Sequence, residues 1–227
     1  MNSPLDFLLF VSVIALLLVP LGQARQSSTP PPGSSSSAHA RKSAPAPDSS
    51  LDAGSVSNGS YGNREFGLTC RIPAGWVLRT EEMNQQDEEQ PDQQAGKSGH
   101  VLLAAFSRPP AARGEDVNSS ILIAAESAAE YPGLKEAAQY FGPVTEIAKA
   151  QGFAVAEEPY EFAIGAKTLV RGDFQKDVGS RVMRQSTLVI LARGYAVSFT
   201  FIGGTEDEVE ELIAGLSFAT AAKPHQR

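Results

Sequence analysis

The composition of the chain breaks at Tyr61, and the break decides how much of it can fold. Residues 26–60 hold 12 Ser, 5 Pro, 5 Ala and 3 Gly, with no aromatic residue. Such a stretch cannot bury enough apolar surface to offset the entropy of ordering it, so it reads as a flexible tether. Prolines at 30–32, 45 and 47 stiffen it locally towards polyproline II. Upstream, residues 7–19 (FLLFVSVIALLLV) are 13 apolar or small residues in a row. A membrane-spanning helix needs ~20, so this run suits the core of a secretory signal. Pro20 ends it, and Gly22 and Ala24 supply the small residues of a cleavage site. The expected division is a signal peptide at 1–24, a tether at 25–60, a folded domain at 61–220 and a disordered tail at 221–227. The stretch before the run carries Asp6 and no Lys or Arg. An uncleaved signal anchor that leaves the protein membrane-tethered is therefore the alternative to a secreted or periplasmic product.

About 160 foldable residues make one ordinary domain. With 9 Phe, 5 Tyr and 1 Trp they can fill a core. A single cysteine excludes a disulfide scaffold and a Cys-rich zinc module. The formal net charge of −7 argues against a nucleic-acid partner. No segment after the signal is apolar enough to insert into a membrane.

From Tyr61 onwards the hydrophobic period changes to that of strands. Phe66, Leu68, Cys70 and Ile72 alternate with Gly67, Thr69 and Arg71, which predicts a strand with one covered face. A short strand is expected at 76–79, starting at Trp76. Residues 81–99 hold six acids and five Gln and read as a solvated excursion, either a mobile loop or a frayed helix. Apolar runs at 100–107 and 120–125 predict two strands. Leu134, Ala137, Ala138, Phe141, Val144 and Ala148 recur at helical spacing, with Gly152 as the stop and Gly142-Pro143 imposing a kink or two short helices. Strands are expected at 154–162, 166–176, 181–191 and 195–202, antiparallel because their links are short. Thr205 and Glu208 form a capping box for a final helix with Val209, Leu212, Ile213 and Leu216 on one stripe. Phe218 should return the chain end to the sheet. The fold class is α+β: a central antiparallel sheet covered by helices.

Few residues offer chemistry. Gly96-Lys97-Ser98 has the ending of a phosphate loop, but Pro91 stands where its first glycine is needed. Asp87, Glu88, Glu89 and Asp92 lack the alternation of a calcium loop and read as solvated acids. Cys70 shares a strand face with core residues, so it reads as a core thiol. His39, His100 and His225 have no Ser or Asp at a recognisable spacing. Glu126 and Glu130 are one helical turn apart and read as exposed. No catalytic, cofactor-binding or metal-binding residue is assigned, and no cofactor is expected. Lys167, Arg171, Arg181 and Arg184 flank one predicted hairpin in an otherwise acidic domain. They either guard sheet ends or form a basic rim that meets an acidic partner. Asn58 and Asn118 begin glycosylation tripeptides.

Three stretches carry a resemblance to a known family. Tyr61-Gly62-Asn63-Arg64-Glu65-Phe66-Gly67-Leu68 runs into Ile72-Pro73-Ala74-Gly75-Trp76. Glu158-Pro159 leads to Ile164-Gly165-Ala166-Lys167, and Gly194-Tyr195-Ala196-Val197 leads through Thr205 to Leu216-Ser217-Phe218. Together they resemble the Mog1/PsbP-like superfamily. The resemblance implies a layered α/β/α sandwich with a buried Trp76. It also implies a non-enzymatic binding or assembly domain of the exported bacterial kind, with an unknown protein or envelope component as partner. A small-ligand carrier or hydrolase, with a pocket between sheet and helix, is the alternative.

Overall fold

The computed structural model describes residues 51–89, 99–109, 112 and 117–219. The expected signal peptide, residues 25–50 of the tether and the tail lie outside the described residues. The described residues begin at Leu51, ten residues before the compositional break. Ser55–Ser57 (β1) turns through Asn58 and Gly59, both at positive φ, and pairs with Ser60–Asn63 (β2). Composition could not reveal β1, because its side chains are all exposed and only its backbone joins the sheet. Leu51 packs against the main core, and the Tyr61 hydroxyl donates to the Ala53 carbonyl at 2.9 Å.

β2 continues through a turn into Leu68–Arg71 (β3), whose burial alternates as its sequence predicts. This strand does not enter the central sheet. It belongs to a second, four-stranded sheet ordered β1-β2-β3-β11, where β11 is Leu216–Phe218. The main sheet has seven antiparallel strands: Val77–Leu78 (β4), Gly99–Phe106 (β5), Ser120–Ser127 (β6), Ala154–Ile164 (β7), Lys167–Val178 (β8), Arg181–Ala192 (β9) and Tyr195–Gly203 (β10). Their order is β4-β5-β6-β10-β9-β8-β7. The β9–β10 hairpin closes on Arg193 and Gly194, both at positive φ, as a two-residue turn demands.

One face of the main sheet carries the small sheet and helix Glu206–Ala214 (α3). Phe199, Phe201, Leu188 and Ile123 meet Leu68, Cys70, Leu212 and Ile213 there. The other face carries helices Thr80–Glu89 (α1) and Phe141–Ala150 (α2). The cover is thus half sheet and half helix on the first face, where helices alone were expected. Being covered on both sides, β6 is buried along seven of its eight residues, so its sequence is nearly continuous in apolar residues.

The acidic excursion is a helix, α1, up to Glu89; residues 90–98 lie outside the described residues. Three side chains anchor it, the first being Thr80, whose hydroxyl accepts from the Ala104 amide at 3.0 Å. Met83 is buried, and removing such a side chain from water is worth ~1.5–3 kcal/mol. Asn84 bonds both the amide and the carbonyl of Val101, at 3.1 and 2.9 Å, beside the bulge where β5 shifts register against β6. On the same face α2 follows a 3-10 turn at Ala137–Tyr140, the two short segments that Gly142-Pro143 predicts. Gly152, at φ +85, stops it.

The position of α2 depends on a glycine in the middle of β8. A Cβ on Gly172 would lie 2.6 Å from Cε1 of Phe141. Gly172→Ala must therefore lift α2 or rotate Phe141, an overpacking that costs about 1–3 kcal/mol. Urea denaturation of the variant checks this; an unchanged midpoint would show that Phe141 has room to move.

Candidate functional site

The four cations that the sequence groups on one hairpin are separated by the fold. Lys167 begins β8 beside the β7 turn, and Arg181 begins β9 at the opposite end. The 12 residues of β8 put roughly 40 Å between those ends. Arg171 is not a rim residue: it is 6% exposed and faces α3. Its Nε donates to both carboxylate oxygens of Asp173 at 3.0 Å, and one Nη donates to Ser186 at 3.1 Å and to Glu210 on α3 at 2.5 Å. The Ser186 hydroxyl also donates to Asp173, and the Tyr160 hydroxyl meets the same carboxylate at 3.3 Å. The guanidinium lies 5.1 Å from the ring centroid of Phe162. Burial acts to lower the Arg171 pKa, but its bonds to Glu210 and Asp173 outweigh that and raise it, so the cation is fixed. The cluster ties β7, β8, β9 and α3 together. A sequence signal did exist: Leu169, Arg171 and Asp173 share one strand face, and opposite charges two apart on an apolar face mark a buried pair.

Arg181 and Arg184 remain together, at the end of the sheet. They face Val117, Ser119 and the first turn of α3 across a cleft of about 580 Å³. The wall on the α3 side is rigid. Thr205 accepts from the Glu208 amide at 3.1 Å, while the Glu208 carboxylate takes the Gly204 amide at 2.8 Å and the Ser119 hydroxyl at 2.5 Å. The capping box therefore closes one residue earlier than expected and reaches a second element. Arg184 is half-buried, and no hydrogen bond or ion pair engages it among the described residues. A guanidinium so placed offers several donors to a carboxylate or phosphate.

A second ionisable cluster overturns the reading of Glu126 and Glu130. Glu126 lies on strand β6, not on a helix, and is 5% exposed; Glu130 is exposed in the turn beyond. The Tyr131 hydroxyl donates to Glu126. Tyr140 is pushed well above the ordinary tyrosine range, first by burial and then by the Glu126 charge and hydrogen bond. The tyrosine rings meet edge to face at 5.5 Å. This set closes the connection between β6 and α2 over the sheet.

Cys70 lies in the core with its thiol pushed up to about 12 by burial, which keeps it protonated and unreactive. His100 is exposed on β5. Gly96-Lys97-Ser98, Asp92, His39 and His225 lie outside the described residues. No three His, Cys, Asp or Glu converge as metal ligands among the described residues. Asn118 is engaged by Ser107 and Arg108, whereas Asn58 is exposed at the β1–β2 turn. Trp76 is only half-buried: it packs against the core from outside and lines a groove, contrary to the buried ring that the resemblance implies.

No protein-family model matches the chain, and no curated relative matches it. Its structure is similar to cyanobacterial PsbP (CyanoP) from Synechocystis, with 15% identity over 73% of this chain and 96% of that one and a TM-score of 0.43. It is similar to the Ran-binding protein Mog1p of Saccharomyces cerevisiae, with 15% identity over 72% and 96% and a TM-score of 0.37. LpqN, involved in cell envelope biogenesis of Mycobacterium tuberculosis, is similar at 13% identity over 67% and 83%, with a TM-score of 0.35.

Two stability measurements probe these clusters. Arg171→Ala leaves Asp173 nearly buried without its cation and should cost about 3–5 kcal/mol, whereas Glu210→Ala, at a half-exposed position, should cost under about 1 kcal/mol. Equal losses in urea denaturation would show that the cluster is not organised around Arg171. Tyr61, like Cys70, is pushed up to about 12, chiefly by burial. Both groups are neutral in the fold and ionise earlier once unfolded, from 10.0 for Tyr61 and 9.0 for Cys70. Their contribution is complete below pH 9 and is lost as the pH climbs towards 12. Tyr61→Phe should flatten this alkaline loss; an equally steep fall would assign it to other groups.

Proposed function

We propose that this protein is an exported binding or assembly module that works by contact and not by turnover. The observation that carries this reading is the cleft of about 580 Å³ at the sheet end, where Arg181 and Arg184 stand against a rigid, capped helix. The site offers recognition chemistry: shape, the Arg184 donors, and the acids Glu206 and Glu208 on the helix wall. Among the described residues its hydroxyls hold the wall together: Ser119 donates to Glu208, which the Gly204 amide also engages, and Thr205 caps α3. The partner that fits is an acidic segment of a protein or envelope component, paired with the Arg184 guanidinium. After cleavage of the signal, residues 25–50 remain as an N-terminal extension of the domain.

Export is the second part of the proposal, supported by the 13-residue run at 7–19 and the small residues before Arg25. No helix among the described residues is long and apolar enough to cross a membrane. N-terminal sequencing of protein recovered outside the cytoplasm should begin at Arg25 or within a residue or two. Intact Met1 in the membrane fraction would replace the cleaved signal with an anchor. For the contact site, Arg181→Glu with Arg184→Glu should abolish salt-sensitive capture of the partner from envelope extract while the urea midpoint changes little. Capture that survives both reversals, or turnover of a small substrate in the cleft, would overturn the reading.

A further inference from the structure

A second groove, of about 410 Å³, runs along α3 from the opposite side, between the helix and the turn that follows β3. Ile72, Pro73, Trp76 and Leu212 form its apolar floor. Gly75 at φ +83 and the close approach of β3 to Gly215, whose carbonyl takes the Arg71 amide at 3.0 Å, fix its shape. No hydrogen bond engages the Trp76 indole N–H among the described residues. Half-buried tryptophan with an available donor, framed by charge, is the anatomy of a contact anchor. On the helix side Glu211 lines the groove, with Asp207 exposed one turn before it on α3, and no ion pair engages either among the described residues; Arg71 lines the facing side.

We infer that this groove receives the chain's own segment 41–47, the sequence Arg-Lys-Ser-Ala-Pro-Ala-Pro. Three properties select that occupant. The first is charge: residues 25–50 carry three basic residues and one acid, whereas residues 51–220 carry 14 basic and 24 acidic. Arg41 or Lys42 can pair with Glu211 at the groove and with Asp207 beyond it. The second is conformation. An Ala-Pro-Ala-Pro stretch favours polyproline II, whose rings lie flat on an indole and whose carbonyls are free to accept from its N–H. The third is reach. Leu51 is fixed on the same core that Trp76 covers, and the ten residues before it span at most ~33 Å when extended. Tethered so closely, the segment has a local concentration in the millimolar range, so even weak docking is populated. Docking would shorten the tether and hold one face of α3 covered until a stronger partner displaces the segment.

Trp76 is the chain's only tryptophan, so its fluorescence reports on this groove alone. The test compares acrylamide quenching of the full chain with that of two full-length variants at low salt. Arg41→Glu with Lys42→Glu, outside the described core, and Glu211→Arg, on the groove wall, should each raise the quenching constant roughly twofold, and salt should do the same to the unaltered chain. A synthetic peptide of residues 38–50 should restore protection in the Arg41→Glu/Lys42→Glu chain. Quenching that is unchanged in both variants would overturn the inference. So would protection that disappears on dilution, because it would make the occupant a second copy.

Discussion

Strand β10 hydrogen-bonds to β6 along one edge and to β9 along the other, in register from Tyr195 to Ile202. The chain reaches β10 only after completing the β7–β8–β9 meander, so this one pairing joins the early and late halves of the main sheet. Its two faces then need separate covers. Val197, Phe199 and Phe201 point to α3 and the small sheet, while Ala196 and Ile202 point to α2. Every layer depends on that two-sided strand, because neither cover has a core of its own.

A sheet buried on both faces makes unpaired polar groups costly, and several buried polar residues are held by partners from other elements. Arg171 is met by Asp173, Ser186 and Glu210. Glu126 is met by Tyr131, and Thr187 lies 3.2 Å from Thr200 directly across the β9–β10 pair. Such contacts specify more than they stabilise: a shift of one residue in β9 would turn Ser186 away from Arg171 and bury its charge without relief. The long outer strand β7 is protected differently. Pro159 and two register shifts break up its free edge, which discourages pairing with another chain.

Helix α3 organises the surface on which contact is proposed. Its first turn walls the arginine cleft, its middle walls the Trp76 groove, and Glu208 borders both. The helix cannot slide without breaking the bonds from Glu208 to Ser119 and Gly204 and from Glu210 to Arg171. The two contact sites are therefore fixed relative to one another. A partner on one side and the tether on the other would act on the same rigid element.

Local patterns determined much of this molecule. Alternation placed β3, continuous apolar runs placed β5 and β6, and Thr205 with Glu208 placed the start of α3, because such signals depend only on neighbours in the chain. The burial of Cys70 followed for the same reason. Tertiary structure alone decided the rest. It added β1, which joins through backbone bonds that no composition reports, and α1, which Thr80, Met83 and Asn84 anchor amid acids. It split the four cations, since Lys167 and Arg181 are separated by the length of a strand that sequence distance does not measure as space. It buried Arg171 and Glu126, whose charges are tolerable only because Glu210 and Tyr131 arrive from other elements. Solvation is set by what packs above a residue, and that cover is drawn from remote parts of the chain.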